Sequence, residues 1–200
     1  HIPAKPIPIY RRYRSRAWLR QSRQPWKLFE QRFTLLSPEF HVLFGANTLY
    51  GVEGRFLSLD FAELTDTASV NFSPYALQYS AFSDISLPAE DLLRNDHQEY
   101  PDDIRRLYLQ TPKLSANIKQ LARDIAQDRA NPHDIAVAVN AYLQQHYTYS
   151  LNVTRSTAAS PLEDFLFISK AGHCEYYATA MTMLLRVLGI PARVANGFAQ

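Results

Sequence analysis

The chain has 200 residues, of which 46% are hydrophobic and 20% are charged, with 12 Pro, 6 Gly and a single Cys. This composition is typical of a folded globular protein and excludes a disordered chain, and one cysteine excludes both an intramolecular disulfide and a four-cysteine zinc site. The formal net charge of +2 is unevenly distributed, because residues 1–29 hold eight Lys and Arg and no acid, which leaves −6 for residues 30–200.

Residues 1–26 are predicted to form a basic arm rich in Pro and Arg. Their prolines favour an extended chain, and no secondary structure is expected before Trp26. The arm's charge is compatible with a solvated segment or with contact to anionic lipid, nucleic acid or an acidic protein. No apolar run reaches the roughly 18 residues of a membrane-spanning helix, and the opening residues lack the apolar core of a signal peptide.

Residues 27–88 are predicted to form a small β-rich domain. Short aromatic and β-branched runs alternate there with Pro, Asn, Gly, Asp or Ser, which is the pattern of strands and turns. The runs are FEQRFTLL, FHVLF, RFLSLDFAEL, ASVNF and YALQYSAF. They predict an antiparallel sandwich or barrel.

The pattern then becomes helical. Residues 89–111 are predicted to be a helical linker, with short amphipathic helices in PAEDLLRND and PDDIRRLYLQ. Residues 112–200 follow as a second domain, and apolar residues recur at helical spacing from Leu114 to Ile125, with Ser115 as an N-cap candidate.

A second helix of this domain is predicted to begin at Pro132, after Asn131 as its N-cap. Its inner face includes Val139 and Leu143, and it is expected to pack against the helix before it. YTYSLNV, residues 147–153, is a short β-like stretch.

The sequence CEYYATAMTMLLRVLG, which begins at Cys174, predicts a buried helix that is apolar nearly all round. Gly189 is expected to end it, and ARVANGFA to start a strand. The thiol therefore lies at a helix N-terminus, where free N–H groups and the helix dipole favour a thiolate and an oxyanion. A lone cysteine is otherwise a small buried hydrophobic residue, but Gly172 and the small Ala178 and Ala180 favour a nucleophile.

The segment DFLFISKAGHCEYYATAMTMLLRVLGIPARVANGFAQ closely resembles the core motif of bacterial transglutaminase-like proteins, in particular the extracytoplasmic domain of the membrane-anchored TgpA-type group. The resemblance implies an α+β fold, in which a papain-like transglutaminase core, incomplete at its C-terminus, follows the small β-rich domain. It also implies that Cys174 is the catalytic nucleophile and attacks a glutamine-type carboxamide, forming a thioester that an amine or water resolves. The family's catalytic His and Asp are expected after Gln200, so the chain alone is expected to be inactive.

Other residues have weaker predicted roles. Tyr149 is a candidate second oxyanion donor with Tyr147 as its alternative, and His173 is a candidate wall of the substrate cleft. His146 ends a helix and is expected to interact with its C-terminus. No metal or other cofactor is expected, because the adjacent His173 and Cys174 are not a spaced pair of ligands.

The expected partners are a protein or peptide that carries glutamine and an amine donor, and no nucleic acid. The resemblance further implies a membrane-anchored parent protein with this domain outside the cytoplasm. Two alternative functions remain open, a papain-like peptidase or amidase that uses the same thiol, and a non-catalytic binding or scaffold module of the cell envelope. A strand with His and a following Asp after Gln200 favours an enzyme.

Overall fold

The computed structural model describes residues 5–7, 15–20, 27–36, 41–71, 76–96, 99–152 and 160–197. The chain divides into two compact units, residues 1–87 and 88–200, and each has its own hydrophobic core. No helix in these described ranges has the length and apolar character that crossing a membrane requires.

The first unit is built from antiparallel strands in two sheets. Its described strands are β1 (Lys5–Ile7), β2 (Ser15–Trp18), β3 (Phe29–Leu35), β4 (Thr48–Gly54), β5 (Ser58–Ala62), β6 (Thr67–Asn71) and β7 (Leu77–Asp84), and a 3₁₀ helix spans Glu63–Thr65. One sheet has the strand order β1-β5-β6 and the other β2-β4-β7-β3. Buried residues of both sheets form one core, so of the two predicted architectures, a sandwich or a barrel, the structure has the sandwich.

The core of the first unit includes a tyrosine that ties a loop to the sheet. Tyr79 on β7 is buried, and Phe33 on β3 stacks on its ring with a centroid distance of 5.0 Å. The Tyr79 hydroxyl donates to the carbonyl oxygen of Phe44 at 3.0 Å and accepts from the Phe44 amide at 2.7 Å. Burial raises the pKa of Tyr79 to about 12, so this hydroxyl stays protonated at neutral pH.

The expectation that residues 1–26 lack secondary structure is wrong for two segments. β1 pairs with β5 and β2 pairs with β4, both antiparallel. Basic side chains of the predicted arm also pair inside the unit, since Arg16 lies 2.7 Å from a carboxylate oxygen of Glu53, and Arg20 lies 2.7 Å from one of Asp66. These two strands form because they pair with strands that are distant in sequence. The local content of Pro and Arg gives no indication of that pairing.

Strand β4 is absent from the sequence-based prediction, whereas the predicted run FHVLF forms, in its described residues, only an isolated bridge between Val42 and Ser69. β4 contains Gly51 and Gly54, which weaken the β signal. Aromatic rings lie against both glycines. A Cβ atom at Gly51 would lie 2.7 Å from the Trp18 ring, and one at Gly54 would lie 2.7 Å from the ring of Phe56.

The second unit combines helices with a short parallel sheet, which confirms the α+β class. Its elements are α1 (Glu90–Arg94), α2 (Asp102–Tyr108), α3 (Ala116–Ala126), α4 (Pro132–His146), β8 (Thr148–Tyr149), α5 (Pro161–Glu163), a π-helical segment (Asp164–Ser169), β9 (Ala171–Gly172) and α6 (Cys174–Val187). β8 and β9 pair in parallel.

Both predicted N-caps are confirmed. The Ser115 hydroxyl accepts a hydrogen bond from the amide of Ile118 at 3.4 Å, and the Asn131 side-chain oxygen accepts one from the amide of Asp134 at 2.9 Å. Pro132 is the first residue of α4, where its missing N–H costs no hydrogen bond.

Helices α3, α4 and α6 pack together around the core of the second unit. Its fully buried residues include Ile118, Val139, Leu143, Phe165 and Leu184. The prediction that α6 is buried nearly all round is correct for only part of the helix, because its first two residues are exposed. Gly189 adopts a φ of 80° after α6 and ends it as predicted, with the Ile190 amide donating to the carbonyl oxygen of Leu185 at 3.0 Å.

The two helices predicted for the linker, α1 and α2, are present. The last residue of α2 is hydrogen-bonded to the segment that follows α6. The Ala192 amide donates to the Tyr108 carbonyl oxygen at 3.1 Å, and the Arg186 guanidinium donates to the carbonyl oxygens of Gln110 and Ala192 at 2.7 and 2.8 Å. The predicted strand in ARVANGFA is absent from residues 192–197. This prediction is wrong there, because the backbone of Ala192 bonds to α2 instead of a neighbouring strand. The predicted domain boundaries stay a prediction.

Candidate active site

Cys174 is the first residue of α6 and follows β9 directly through His173. Cys174 is exposed. His173 is the N-cap residue, with an extended backbone (φ −98°, ψ −174°), so the chain turns from strand to helix at a single residue. The predicted position of the cysteine at a helix N-terminus is therefore observed.

Gly172 allows this turn to lie close to the core. A Cβ atom at this position would lie 2.8 Å from Cβ and Cγ of Tyr176 and 3.1 Å from Cδ2 of Phe165. Distances under 3.0 Å are too short for a side chain, so any larger residue would displace the first turn of α6 or the core beneath it. The glycine two residues before the cysteine is thus required by packing.

The start of α6 has amide groups available for a negatively charged oxygen. The carbonyl oxygen of His173 accepts hydrogen bonds from the amides of Tyr176 and Tyr177 at 3.0 and 3.3 Å. The first two amides of the helix, those of Cys174 and Glu175, precede this first bonded turn, and the His173 side chain makes no capping bond to the helix. An oxyanion at the thiol therefore meets N–H groups at the positive end of the helix dipole.

The thiol of Cys174 has no hydrogen-bond partner among the described residues. The two residues that flank Cys174 are His173 and Glu175. The part of the chain that the structure describes also contains no group of three or more His, Cys, Asp and Glu that could hold a metal ion. The described residues thus place an exposed thiol beside the first amides of a helix, and no described histidine is hydrogen-bonded to that thiol.

Tyr149 lies on β8, beside the strand that leads into Cys174. Tyr149 is paired with Gly172, and the Ser150 amide donates to the Gly172 carbonyl oxygen at 2.9 Å. The Tyr149 ring lies 6.4 Å from the ring of Tyr177, one turn along α6 from the cysteine, and the residue is 62% exposed. These contacts bring Tyr149 to the same end of α6 as the thiol.

Tyr147, the predicted alternative to Tyr149, does not reach the site. Its hydroxyl donates to the carbonyl oxygen of Leu166 at 3.0 Å, and its ring stacks on Phe165 with a centroid distance of 4.8 Å. Burial raises the pKa of Tyr147 above its usual range, which is the effect expected for a phenol in an apolar core. The proposal of Tyr147 as an oxyanion donor is wrong, because this hydroxyl is committed to the backbone.

The described histidines lie in separate places. The His173 ring packs edge-on against Tyr176 with a centroid distance of 4.9 Å, next to the thiol. The His146 ring stacks on Tyr142 at 4.1 Å, and its Nδ1 lies 3.0 Å from the Tyr142 carbonyl oxygen in the last turn of α4, as expected for a residue that interacts with the helix C-terminus. Nδ1 of His41 lies 3.2 Å from a backbone carbonyl oxygen, and that of His133 lies 3.2 Å from Asp134. His1 and His97 lie outside the described residues.

One part of the site is missing from the sequence-based prediction. Phe165, in the π-helical segment, is completely buried, and its ring lies 5.7 Å from Tyr176 and 5.3 Å from Tyr177. It therefore supports the first turn of α6 from below. The apolar run around Phe165 indicates that this segment is buried. Its hydrophobic pattern does not show which residues Phe165 contacts.

Residues 119–200 match the family model Transglut_core, described as the transglutaminase-like superfamily. The match includes Cys174 and the whole of α6. The chain carries a transglutaminase-like domain. This finding confirms the family resemblance of the cysteine motif.

Two curated proteins resemble the transglutaminase-like domain in sequence. A protein-glutamine gamma-glutamyltransferase of Pseudomonas aeruginosa is 36% identical over 81 residues, which are 40% of this chain and 12% of that protein. YebA of Bacillus subtilis (strain 168), an uncharacterised protein, is 36% identical over 110 residues, which are 53% of this chain and 15% of that protein. The chain thus spans less than a sixth of the length of these relatives.

Two crystal structures resemble the chain in fold. The periplasmic domain of TgpA from Pseudomonas aeruginosa bound to ethylmercury has a TM-score of 0.61 at 23% identity, over 81% of this chain and 56% of that one. The periplasmic domain of TgpA from the same organism, in a second structure, has a TM-score of 0.55 at 18% identity, over 88% of this chain and 70% of that one. The chain has the fold predicted for it, a transglutaminase-like, papain-like core after a β-rich part.

Proposed function

We propose that Cys174 is the nucleophile of an acyl-transfer enzyme that acts on the glutamine carboxamide of a protein or peptide. The observation that carries the proposal is the exposed thiol at the first residue of α6, next to unbonded amides, within a region that matches the transglutaminase-like family. The name of the Pseudomonas relative, a protein-glutamine gamma-glutamyltransferase, supports the choice of substrate.

The reaction has two steps. The thiolate of Cys174 attacks the carboxamide carbon, the tetrahedral oxyanion accepts hydrogen bonds from the amides at the start of α6, and the C–N bond breaks as the leaving nitrogen takes up a proton and departs as ammonia. An amine then attacks the thioester, the C–S bond breaks, and a new amide and the free thiol form. Water in place of the amine yields glutamate.

The second oxyanion donor in this proposal is the hydroxyl of Tyr149. Its exposed ring contacts Tyr177, one turn from the cysteine, and β8 is paired with the strand that leads to the thiol. His173 forms a wall of the cleft, since its ring packs on Tyr176 beside the nucleophile. Neither residue replaces a catalytic base.

We further propose that the chain of 200 residues is inactive without the rest of its protein. A cysteine without an imidazole lacks both the ion pair that holds the thiolate and the acid that protonates the leaving nitrogen, which then departs as ammonia. No described histidine is hydrogen-bonded to the Cys174 thiol. The catalytic His and Asp are therefore proposed to follow α6 in the whole protein. The periplasmic location of the TgpA domains supports an extracytoplasmic, membrane-anchored protein.

The test measures incorporation of a labelled amine into a glutamine-containing protein. We expect activity from the whole protein, background activity from the 200-residue chain, and a loss of roughly 10⁴-fold or more for Cys174→Ala in the whole protein. Tyr149→Phe is expected to lower kcat by roughly 10- to 1000-fold while the protein stays folded.

Two results would contradict the proposal. Strong activity of the 200-residue chain would mean that a histidine within it, with His146 as the first candidate, serves as the base. Release of ammonia or cleavage of peptide bonds without amine incorporation would indicate the amidase or peptidase function instead.

A further inference from the structure

The chain that leaves α6 is fixed to another part of the second unit at Ala192. Gly189, with a φ of 80°, first turns the chain out of the helix. The Ala192 amide then donates to the carbonyl oxygen of Tyr108, the last residue of α2, at 3.1 Å. Ala192 also packs, partly buried, against the core of this unit. The path of the segment after α6 therefore starts from a position that α2 defines.

Arg186, in the last turn of α6, bridges the two segments that meet there. Its Nε donates to the carbonyl oxygen of Ala192 at 2.8 Å, and its Nη1 donates to that of Gln110, two residues after α2, at 2.7 Å. Among the described residues Arg186 forms no ion pair with a carboxylate, so its guanidinium holds main-chain oxygens. Since a guanidinium presents its donors in a rigid planar fork, the two carbonyl groups are held in a defined relative position.

This anchor lies at the opposite end of α6 from the thiol. Arg186 comes twelve positions after Cys174 in the same helix, which corresponds to about 18 Å along its axis. A catalytic group that follows Gln200 has to be brought back over this length. If the returning segment is tilted by about 10° at the anchor, its far end moves by about 3 Å, whereas a misplacement of about 1 Å already costs roughly 100-fold in rate. The reaction is therefore sensitive to how firmly the anchor is held.

We propose that Arg186 is a positioning residue for the reaction. By tying the segment after α6 to the end of α2, its guanidinium sets the direction in which the catalytic His and Asp return to Cys174. This inference rests on the proposed function, which places those two residues after α6. Arg186 touches none of the reacting atoms, so it acts on kcat and on the pairing of the thiol with its base.

The first experiment measures amine incorporation by the whole protein with Arg186→Met, which keeps an apolar stem and removes the donors. We expect kcat to fall roughly 10- to 100-fold and KM to stay within about twofold, because the change is far from the start of α6. Arg129→Met is the matched control, since the Arg129 guanidinium also donates to two main-chain oxygens, those of Ile125 and Gln127, both at 2.8 Å, but at the end of α3. Equal kcat values of the two folded variants would overturn the proposal.

A second variant tests the bridge itself and remains informative if Arg186→Met does not fold. Arg186→Lys keeps the positive charge but lacks the planar fork, so it does not hold both carbonyl oxygens in one geometry. Its kcat should be lower than that of the wild-type protein by roughly 3- to 30-fold. A lysine variant with the kcat of the wild-type protein would show that the charge is sufficient, and the bridging role would be wrong.

The pH dependence of alkylation separates positioning from a general loss of stability. An imidazole paired with Cys174 should place the midpoint of iodoacetamide alkylation in the whole protein below about 7.5, whereas an unpaired thiol has a midpoint near roughly 8.5. Mass spectrometry of the Cys174 peptide gives the rate for this thiol alone. Folded Arg186→Met should shift the midpoint toward 8.5 and Arg129→Met should leave it unchanged. A wild-type midpoint near 8.5, or no shift in Arg186→Met, would overturn the inference.

The two measurements together distinguish this inference from the proposed function. If the wild-type protein transfers the acyl group to the amine and Arg186→Met does so equally well, the function stands and the positioning role is wrong. If the midpoint of alkylation is low in the wild-type protein and rises in Arg186→Met, but the wild-type protein incorporates no amine, the positioning role stands and the proposed function is wrong.

Discussion

At the scale of single residues, Gly172 controls the position of the nucleophile. The space for a side chain there is filled by Tyr176 and Phe165, so the strand that leads to Cys174 lies in direct contact with the core. The backbone conformation at position 172 does not require a glycine, because the φ of Gly172 is not positive. Contact distances alone exclude a larger residue.

We expect Gly172→Ala to lower the free energy of unfolding by about 1–3 kcal/mol, the usual cost of overpacking a core. The displaced start of α6 should also slow alkylation of Cys174 by iodoacetamide at pH 7, because its amides no longer support the thiolate equally well. The chain has a single cysteine, so the alkylation rate reports on this site alone. Gly197→Ala is the matched control, since no heavy atom lies within 4 Å of the added Cβ there. Equal behaviour of the two variants would show that the packing at Gly172 is unimportant.

At the scale of elements, a polar cluster joins α1 to the start of α4. Nε of Arg94 on α1 lies 3.0 Å from Oδ1 of Asp134, and the Asn131 side-chain amide donates to Oδ2 of Asp134 at 2.8 Å. Hydrogen bonds from Asn131, then from Arg94 and from His133, lower the pKa of Asp134 to about 2. The carboxylate thus completes the cap of α4 and binds a neighbouring helix.

This cluster should make the second unit sensitive to acid. The pKa of Asp134 is lowered in the folded state, so its contribution to stability is present above the unfolded value of roughly 3.9 and is lost as the pH falls toward 2. Asp134→Asn should therefore flatten the dependence of the urea midpoint on pH between about 4 and 2. Asp124→Asn is the control, because Asp124 accepts from the neutral Gln120 amide. A slope in Asp134→Asn equal to that of wild type would contradict the role of the cluster.

At the scale of the whole molecule, the two units have separate cores and a short irregular connection. Residues 85–89 have no regular structure and are exposed, while α1 and α2 on the C-terminal side are bonded into the second unit. Residues 85–89 are therefore an exposed, irregular stretch between the two cores.

Limited proteolysis should cut first within residues 85–89, because exposed backbone without hydrogen-bonded structure is cleaved most readily. Mass spectrometry of the early fragments checks this. A first cut within residues 102–110 would mean that α2 is not held to the second unit, and a first cut within residues 48–71 would mean that the β-rich unit does not fold as one body.

Features that depend on a few neighbouring residues are predictable from the sequence. Ser115 and Asn131 cap helices through amides three residues away, and Gly189 ends α6 through its own backbone angle, so each acts within one helical turn. The position of Cys174 at the start of α6 belongs to the same group. Local sequence patterns also identified α1 to α4, α6 and the strands β3, β5, β6 and β7.

Only the tertiary structure decided which residues meet. Trp18 packs on Gly51 across 33 positions of sequence, which explains a strand that local propensity does not predict. The hydroxyl of Tyr147 bonds to the backbone of the π-helical segment, while Tyr149, two residues later, is exposed beside the thiol. Sequence alone treats these two tyrosines alike, because backbone pairing and ring packing between distant segments, and not the residue types, determine which one faces the core.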